Sequence, residues 1–395
     1  MKVKKLISVT IILILITIII TEIILRLLPK QYISNIENHE ICFSAFKSLS
    51  DQRQILEKYR SWSNRYLPYL MWSNYPNIDN GVIKINSRGY RGEEWSSTKS
   101  ESTYRIIFTG GSVAFGYGSS SNKTTISEYL QRRLNDKLAK ENINYNVEVY
   151  NAAQDGYVST QEYIQWKDLL SYKPDMIIHF TGYNDVYTGF KGKPAGGLHP
   201  TIREDLLTSD TMTALSALIS IKTDRILRNS LLYQLINALI KKNSRIIYSH
   251  TNLQEIKDVF IRNMELVSDI AKIEQITPVV VIQPSLFTER KKLTQEEQGI
   301  MLQQNYDFPD ASSYFQKGSE LIVESLHKDI NQSELIVIDG RDVFKDSEKD
   351  IYIDTAHFSD GGNEIVGNEL AYRLYPIILK QINKSGLTHF NNLRQ

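Results

Sequence analysis

The chain has 395 residues, with 46 Lys plus Arg against 45 Asp plus Glu, one cysteine and 42% hydrophobic residues. That length allows one large domain or two ordinary ones with ample core, and the net charge of +1 leaves no electrostatic footprint for nucleic acid and excludes an acidic disordered tail. A lone Cys42 excludes an intramolecular disulfide, a CxxC redox pair and a cysteine-based zinc knuckle.

The first predicted element lies at the very start. Residues 2–5 read KVKK, and no residue from Leu6 to Thr21 is charged; the apolar run continues to Leu28, interrupted only by Glu22 and Arg26. A helix over 6–28 would be about 35 Å long, enough to cross a bilayer core with some tilt. Glu22 and Arg26 are four apart and placed to pair at the membrane edge. A buried core helix and a cleaved signal peptide are the alternatives. The uncharged stretch at the extreme N-terminus argues against the first, and the missing small-x-small cleavage site argues against the second. The expectation is an uncleaved transmembrane anchor over residues 1–30. Lys2, Lys4, Lys5 and the α-amine outweigh Arg26 and Lys30, which keeps the N-terminus cytoplasmic and places the rest outside. Removing residues 1–30 takes away five basic residues and one acidic one, leaving 41 against 44, a net charge of −3.

Residues 31–103 form a polar lead-in, rich in Asn, Ser and Tyr and poor in periodicity. From 104 to 385 strands and helices alternate. YRIIFTG (104–110) reads as a buried strand. Ile126, Tyr129, Leu130, Leu134 and Leu138 give 124–140 a helical period. A strand over 147–153 precedes a helix opened by a Ser159/Glu162 capping box. Further strands fall at 175–182, 277–285 and 335–340, and further helices at 256–275 and 363–382. This alternation implies an α/β three-layer sandwich with a central parallel sheet covered on both faces. Residues 187–255 break the pattern with a Gly/Pro cluster (192–200) and leucines at helical spacing. They read as a helical insertion packed on the core; a cap over the active site or an interfacial helix at 231–242 are the sharper alternatives.

Four segments stand at the C-terminal ends of predicted strands, where open α/β sheets bind ligands. In IIFTGGSVAFGYG (106–118), Ser112 follows two glycines on a tight turn after a strand. The spacing fits neither a phosphate loop nor a dinucleotide fingerprint, and Ala114 breaks the G-x-S-x-G elbow. Gly156 sits between a strand and a helix, so its N–H can face the site. Asn184 follows Gly182 at a strand end, where its amide can donate to an oxyanion. Asp354 and His357 share one short loop, so the carboxylate can hold the imidazole in the tautomer whose Nε2 accepts a proton from a serine. As metal ligands the pair lacks a third and fourth partner nearby. Each segment alone is an ordinary turn; together their order and placement agree.

On these residues the sequence resembles the SGNH hydrolase superfamily, the GDSL-type esterases, over 104–185 and roughly 256–383. Gly182-Tyr183-Asn184-Asp185 matches the G-x-N-D block and Asp354-Thr-Ala-His357 the last block. Gly111 departs from the Asp that the family name implies before Ser112. INSRGYRGEE (85–94) is similar to a stretch in membrane-anchored members, with no physical role beyond a turn-rich lead-in. The resemblance implies a flavodoxin-like SGNH fold without cofactor or metal. It implies Ser112 as nucleophile, His357 as base oriented by Asp354, and the N–H groups of Ser112 and Gly156 with the Asn184 amide as oxyanion hole. The expected substrate is an acylated small molecule or glycan outside the cytoplasm, O-acetyl esters first. Acyl transfer, lipase or thioesterase action on the same triad, and a non-catalytic module in surface-polysaccharide assembly stay open. His179 reads as a core residue; His199 is placed to approach substrate; His39, His250, His327 and His389 read as surface.

Overall fold

The computed structural model describes residues 2–27, 54–55, 57–59, 64–199, 230, 232–233, 249–331 and 334–392. The chain divides into two compact units, residues 1–41 with 201–247, and residues 42–200 with 248–395.

In the first unit, α1 (Lys2–Leu27) is one continuous 26-residue helix. Nothing in the run breaks it: it holds no Gly or Pro, and the hydroxyls of Thr17 and Thr21 return to the carbonyls of Leu13 and Thr17 at 2.9 and 2.8 Å. Arg26 pairs with Glu22 at 2.8 Å, as their spacing predicts. Glu22 also accepts from the Ser230 hydroxyl and the Leu232 N–H, at 2.8 and 3.0 Å. The described side chains of α1 are Thr10, Leu13 and 16–27, and Leu13, Ile16, Ile18, Ile19, Ile20, Ile23, Ile24 and Leu27 among them are exposed. Among the described residues no helix is long and apolar enough to cross a membrane. Most of the expected insertion, including nearly all of 231–242, lies outside the described residues.

The second unit opens with the hairpin β1 (Asn64–Leu67) and β2 (Met71–Asn74) and the short pair β3 (Ile78–Asp79) and β4 (Lys84–Ile85). The alternating part then runs β5 (Thr103–Gly110), α2 (Ser112–Phe115), α3 (Ile126–Lys140), β6 (Asn146–Asn151), α4 (Ser159–Leu169), β7 (Met176–Thr181), α5 (Tyr183–Phe190), α6 (Leu253–Glu274), β8 (Thr277–Ile282), α7 (Gln295–Asp307), α8 (Ala311–Asp329), β9 (Ile336–Asp339) and α9 (Asp360–Asn392). The five strands β5 to β9 form one parallel sheet in the order β6-β5-β7-β8-β9. Every residue of β5 and β7 is buried, so both faces are covered and the strands read as continuous apolar runs. Alternate residues serve opposite layers. Ile106, Phe108, Ile178 and Val281 pack with the α3 and α9 side chains Leu130, Leu134, Leu370 and Leu374. Ile107, Ile177, Val280 and Ile282 pack with Trp166, Phe260, Met264 and Ile322 from α4, α6 and α8.

The strand order places a topological switch between β5 and β7. From β5 the chain steps outward to β6, then returns past β5 to β7, so successive crossovers leave in opposite directions and open a crevice at the C-terminal strand ends.

All five expected strands and the four helices expected among them are present; the short α2 and α5 and the longer α7 and α8 are additional. The α8 period (Ala311, Phe315, Gly318, Ile322, Leu326) is legible in retrospect, its small residues masking it. The Ser159/Glu162 capping box does not form. Val158 is the N-cap and Ser159 the first helical residue; the Ser159 N–H and hydroxyl bind Asp185, and Glu162 turns inward to His179 and Thr181. Buried partners displace the local cap because leaving Asp185 and Glu162 unpaired inside the core would cost more than the cap supplies. His250, read as surface, is part-buried: its ring stacks 4.5 Å from Phe190, and Nδ1 reaches the Phe190 carbonyl at 2.6 Å.

A fully buried ion pair anchors the loop after β9. Lys291 Nζ meets Glu297 Oε2 at 2.7 Å with both side chains at 0% exposure. Glu297 Oε1 then accepts from the N–H groups of Ile351 and Tyr352 at 3.0 and 3.3 Å. Lys291→Met should destabilise the fold by about 3–5 kcal/mol, because it leaves the Glu297 carboxylate buried without its counter-charge. Urea unfolding monitored by tryptophan fluorescence checks this, and a loss below 1 kcal/mol would contradict it.

Candidate active site

Ser112 stands where β5 turns into the single-turn helix α2. Gly111, in extended conformation, is the N-cap, and Gly116 closes the turn in left-handed conformation at φ +92°. A one-turn helix leaves its carbonyls without internal partners. Arg91, 2% exposed, supplies them: Nη1 donates to the Phe115 and Gly116 carbonyls at 3.1 and 2.8 Å and to Tyr59 Oη at 2.9 Å, while Nε reaches Asn122. Tyr59 Oη itself donates to the Gly116 carbonyl at 2.6 Å. Arg91 comes from the INSRGYRGEE segment, where the sequence analysis finds no role. Its signal is local: Asn86 Oδ1 accepts from the N–H groups of Arg88 and Tyr90, and this turn aims the arginine inward.

Asp354 and His357 lie on a tight loop closed by the Tyr352–Phe358 bridge and by the Ile353 N–H on the His357 carbonyl at 2.9 Å. Asp354 Oδ1 accepts from the N–H groups of Ala356 and His357, both at 2.8 Å, and Oδ2 meets His357 Nδ1 at 2.7 Å. His357 Nε2 lies 2.8 Å from Ser112 Oγ. With Nδ1–H donating to the carboxylate, Nε2 is the acceptor for the serine hydroxyl proton. Burial works against a charge on His357, but the neighbouring Asp354 carboxylate outweighs it by charge and hydrogen bond, and the imidazole is held above its ordinary range. Burial likewise opposes the charge on Asp354, yet His357 and the loop N–H groups hold that carboxyl below its usual value. The Tyr117 ring covers His357 at 4.6 Å.

Asn184 enters from the first turn of α5. Its Nδ2 donates to the Tyr157 carbonyl at 2.8 Å. The same nitrogen would stand 2.2 Å from a Cβ placed on Gly111, so a side chain at 111 would displace the amide. This is the physical account of the glycine that departs from the family name. A side-chain amide has two N–H donors; the second is available to an acceptor in the crevice beside Ser112.

Gly156 adopts φ +73°, and a Cβ there would meet the His199 ring at 3.1 Å. Its loop is fixed from both sides. The Ala152 and Gln154 N–H groups bond the Phe108 and Gly110 carbonyls, and Trp72 Nε1 donates to the Asp155 carbonyl at 2.8 Å. His199 stacks on Tyr187 at 5.0 Å, and burial, with His357 and Lys191 adding, lowers its pKa to about 4.

Behind the crevice, Trp166 Nε1 donates to His179 Nε2 at 2.9 Å, His179 Nδ1 meets Glu162 at 2.8 Å, and Thr181 donates to Glu162 at 2.6 Å. His179 is the satisfied core residue expected of it. Asp185, beside Asn184, holds the Ser159 hydroxyl at 2.6 Å, and burial pushes its carboxyl up to about 7. Among the described residues, no group of three His, Cys, Asp or Glu side chains gathers to hold a metal ion.

The sheet order and these strand-end residues define an α/β protein with its site at the C-terminal ends of a parallel sheet, and residues 106–370 match the GDSL-like Lipase/Acylhydrolase family. The chain belongs to that family and is a hydrolase acting on ester bonds. Among curated proteins, none matches the sequence. Among solved structures it is similar to a lipase from a goat rumen metagenome (13% identity, 69% of this chain and 98% of that one, TM-score 0.39). It is also similar to an alpha/beta hydrolase enzyme from the metagenome of Lake Arreo (11%, 70% and 96%, TM-score 0.38). A third is a catalytic mutant of an acetylxylan esterase from Geobacillus stearothermophilus (14%, 69% and 93%, TM-score 0.37).

The raised His357 gives the site a testable pH dependence. The imidazole works as a base only when neutral, so kcat/KM should fall as pH drops through that raised pKa, with a midpoint above the ordinary ~6.5 of histidine. Asp354→Asn should move the limb to lower pH and reduce kcat on the order of 10⁴. A pH–rate profile of both proteins checks the pair of shifts; an unmoved limb would contradict them.

Proposed function

We propose that the protein is a serine esterase that removes an acyl group, in the first place O-acetyl, from an extracytoplasmic glycan through an acyl-enzyme. One observation carries this reading: the continuous hydrogen-bonded chain Asp354–His357–Ser112. His357 Nε2 takes the Ser112 hydroxyl proton as Oγ attacks the ester carbonyl. The oxyanion is held by the Ser112 and Gly156 N–H groups and the free donor of the Asn184 amide. Asp354 stabilises the imidazolium, which then protonates the leaving alcohol. Water, activated by the same imidazole, releases the acid and frees Ser112. A sugar hydroxyl in place of water would make the same site an acyltransferase.

A short acyl group is favoured by the rings that crowd the crevice. His199 lies against Gly156, Tyr187 stacks behind it, and Tyr183 Oη stands 3.5 Å from Thr355 Oγ1 beside the catalytic loop. The extracytoplasmic, membrane-tethered placement rests on α1. Its side chains Ile16 to Ile20 and Ile23 to Leu27 leave large apolar surface open, which an aqueous helix rarely does and a lipid phase would cover.

Two measurements test the reading. Asn184→Ala should lower kcat on p-nitrophenyl acetate by about 10²–10³, with Ser112→Ala inactive and unlabelled by a fluorophosphonate probe; unchanged turnover in the Asn184 variant would remove that residue from the oxyanion hole. Acetyl esters should be preferred to octanoyl esters, and the reverse preference would make the protein a lipase. Separately, the full chain should stay with membranes through alkaline carbonate extraction, and deletion of residues 1–30 should release it. Release of the full chain would rule out the anchor.

A further inference from the structure

The hairpin β1–β2 has no part in the chemistry above, yet it is built onto the crevice. Four hydrogen bonds join it to the Gln154–Gln161 segment. Trp72 Nε1 donates to the Asp155 carbonyl at 2.8 Å, and the Asn74 N–H to Gln154 Oε1 at 3.1 Å. Tyr157 Oη donates to the Trp72 carbonyl at 2.7 Å, and Gln161 Nε2 to the Leu70 carbonyl at 2.9 Å. The Trp72 and Tyr157 rings meet edge to face at 5.4 Å. Trp72 therefore abuts the residue before Gly156.

The hairpin also presents tyrosines to water. Tyr66 pairs directly with Trp72 across the strands, so the two side chains share a face within a few ångström of each other, yet Tyr66 is 62% exposed. Tyr69 at the tip is 80% exposed, and Tyr75, just past β2, is also exposed. The tip is strained as well: Tyr69 and Met71 sit at φ +68° and +69°, where glycine or asparagine would be the unstrained choice. An exposed aromatic kept in such a conformation, as Tyr69 is, points to a contact that the folded chain alone does not make. The segment NRYLPYLMWSNYPN (64–77) has no acidic residue and one basic one. That composition suits neither a polyanion nor a cationic ligand. Uncharged polar groups with flat, hydroxyl-tipped rings suit the apolar faces and hydroxyl edges of sugars.

We propose that the hairpin is a carbohydrate-binding platform continuous with the active-site crevice, on which Tyr66 and Tyr69 stack against sugar rings flanking the acylated one. This deepens the esterase reading and rests on its glycan substrate. Stacking gives affinity for a chain without touching the ester, so its loss appears only with polymeric substrates.

The test compares the full chain with the Tyr66→Ala/Tyr69→Ala double variant. The substrates are p-nitrophenyl acetate and a panel of O-acetylated gluco-, xylo- and N-acetylhexosamine oligosaccharides. On the best oligosaccharide KM should rise by about tenfold or more, the affinity of roughly one stacked ring, while both constants on p-nitrophenyl acetate stay within twofold. An unchanged oligosaccharide KM, or an equal loss on both substrates, would overturn the platform. Failure of the wild-type protein to turn over p-nitrophenyl acetate would instead strike the esterase reading. Titration of the same oligosaccharides into Ser112→Ala, with and without the two tyrosine substitutions, then decides the platform by binding alone; equal affinities would overturn it.

Discussion

The crevice depends on where one side-chain amide sits. Asn184 Nδ2 lies between the Tyr157 carbonyl, which it bonds at 2.8 Å, and the Cα of Gly111, where no side chain fits. Three strand-end loops, after β5, β6 and β7, therefore meet within the dimensions of an amide. The neighbouring Asp185 extends the clamp by holding the Ser159 N–H and hydroxyl. Two consecutive residues of α5 thus fix the segment that follows Gly156, and the parallel sheet fixes the rest through the Ala152 and Gln154 N–H groups. The switch between β5 and β7 makes such a meeting possible, since successive crossovers leave those strands in opposite directions.

Around this point the protein maintains a set of buried charged and polar groups. Glu162 and His179 are wholly buried under the crevice, and Lys291 with Glu297 under the loop that carries Asp354 and His357. Each group is saturated: His179 by Trp166 and Glu162, Glu162 by Thr181, Glu297 by backbone N–H groups as well as Lys291. Such networks contribute little net stability compared with apolar packing, but they allow few alternative arrangements. They surround Ser112, His357 and Asn184, where small displacements matter most, and leave the far side of the sheet to Leu, Ile and Val.

Much of this is legible in the amino-acid sequence. The strands show as short apolar runs because both faces of a parallel sheet are buried, and Ser112, Asn184, Asp354 and His357 stand out because the loops at the strand ends carry glycines and polar side chains in a fixed order. What escaped has a physical reason. Arg91 sits in a segment without periodicity, and its task depends on α2 being too short to satisfy its own carbonyls. The Ser159/Glu162 pattern misled because a local cap and a buried partner use the same residue types, and burial decides between them. α7 and α8 escaped because the Gln- and Glu-rich α7 has little amphipathic contrast, while Ala311 and Gly318 stand at apolar positions of α8. His250 looked like a surface residue because its partners, Phe190 and Asp310, are sixty positions away in either direction.

The hydrogen bond between Ser112 and His357 closes a separation of 245 residues. Near the opposite sheet end Tyr104 bonds Gln381 across 277. Closing loops of that length costs entropy before any contact rewards it. Ser112 and His357 therefore meet only when the turn after β5 and the loop before α9 have both taken their places. A segment that carries Ser112 without residues 354–357 lacks the Asp354–His357 pair altogether, so the hydrogen-bonded chain belongs to the folded unit and to neither of its halves.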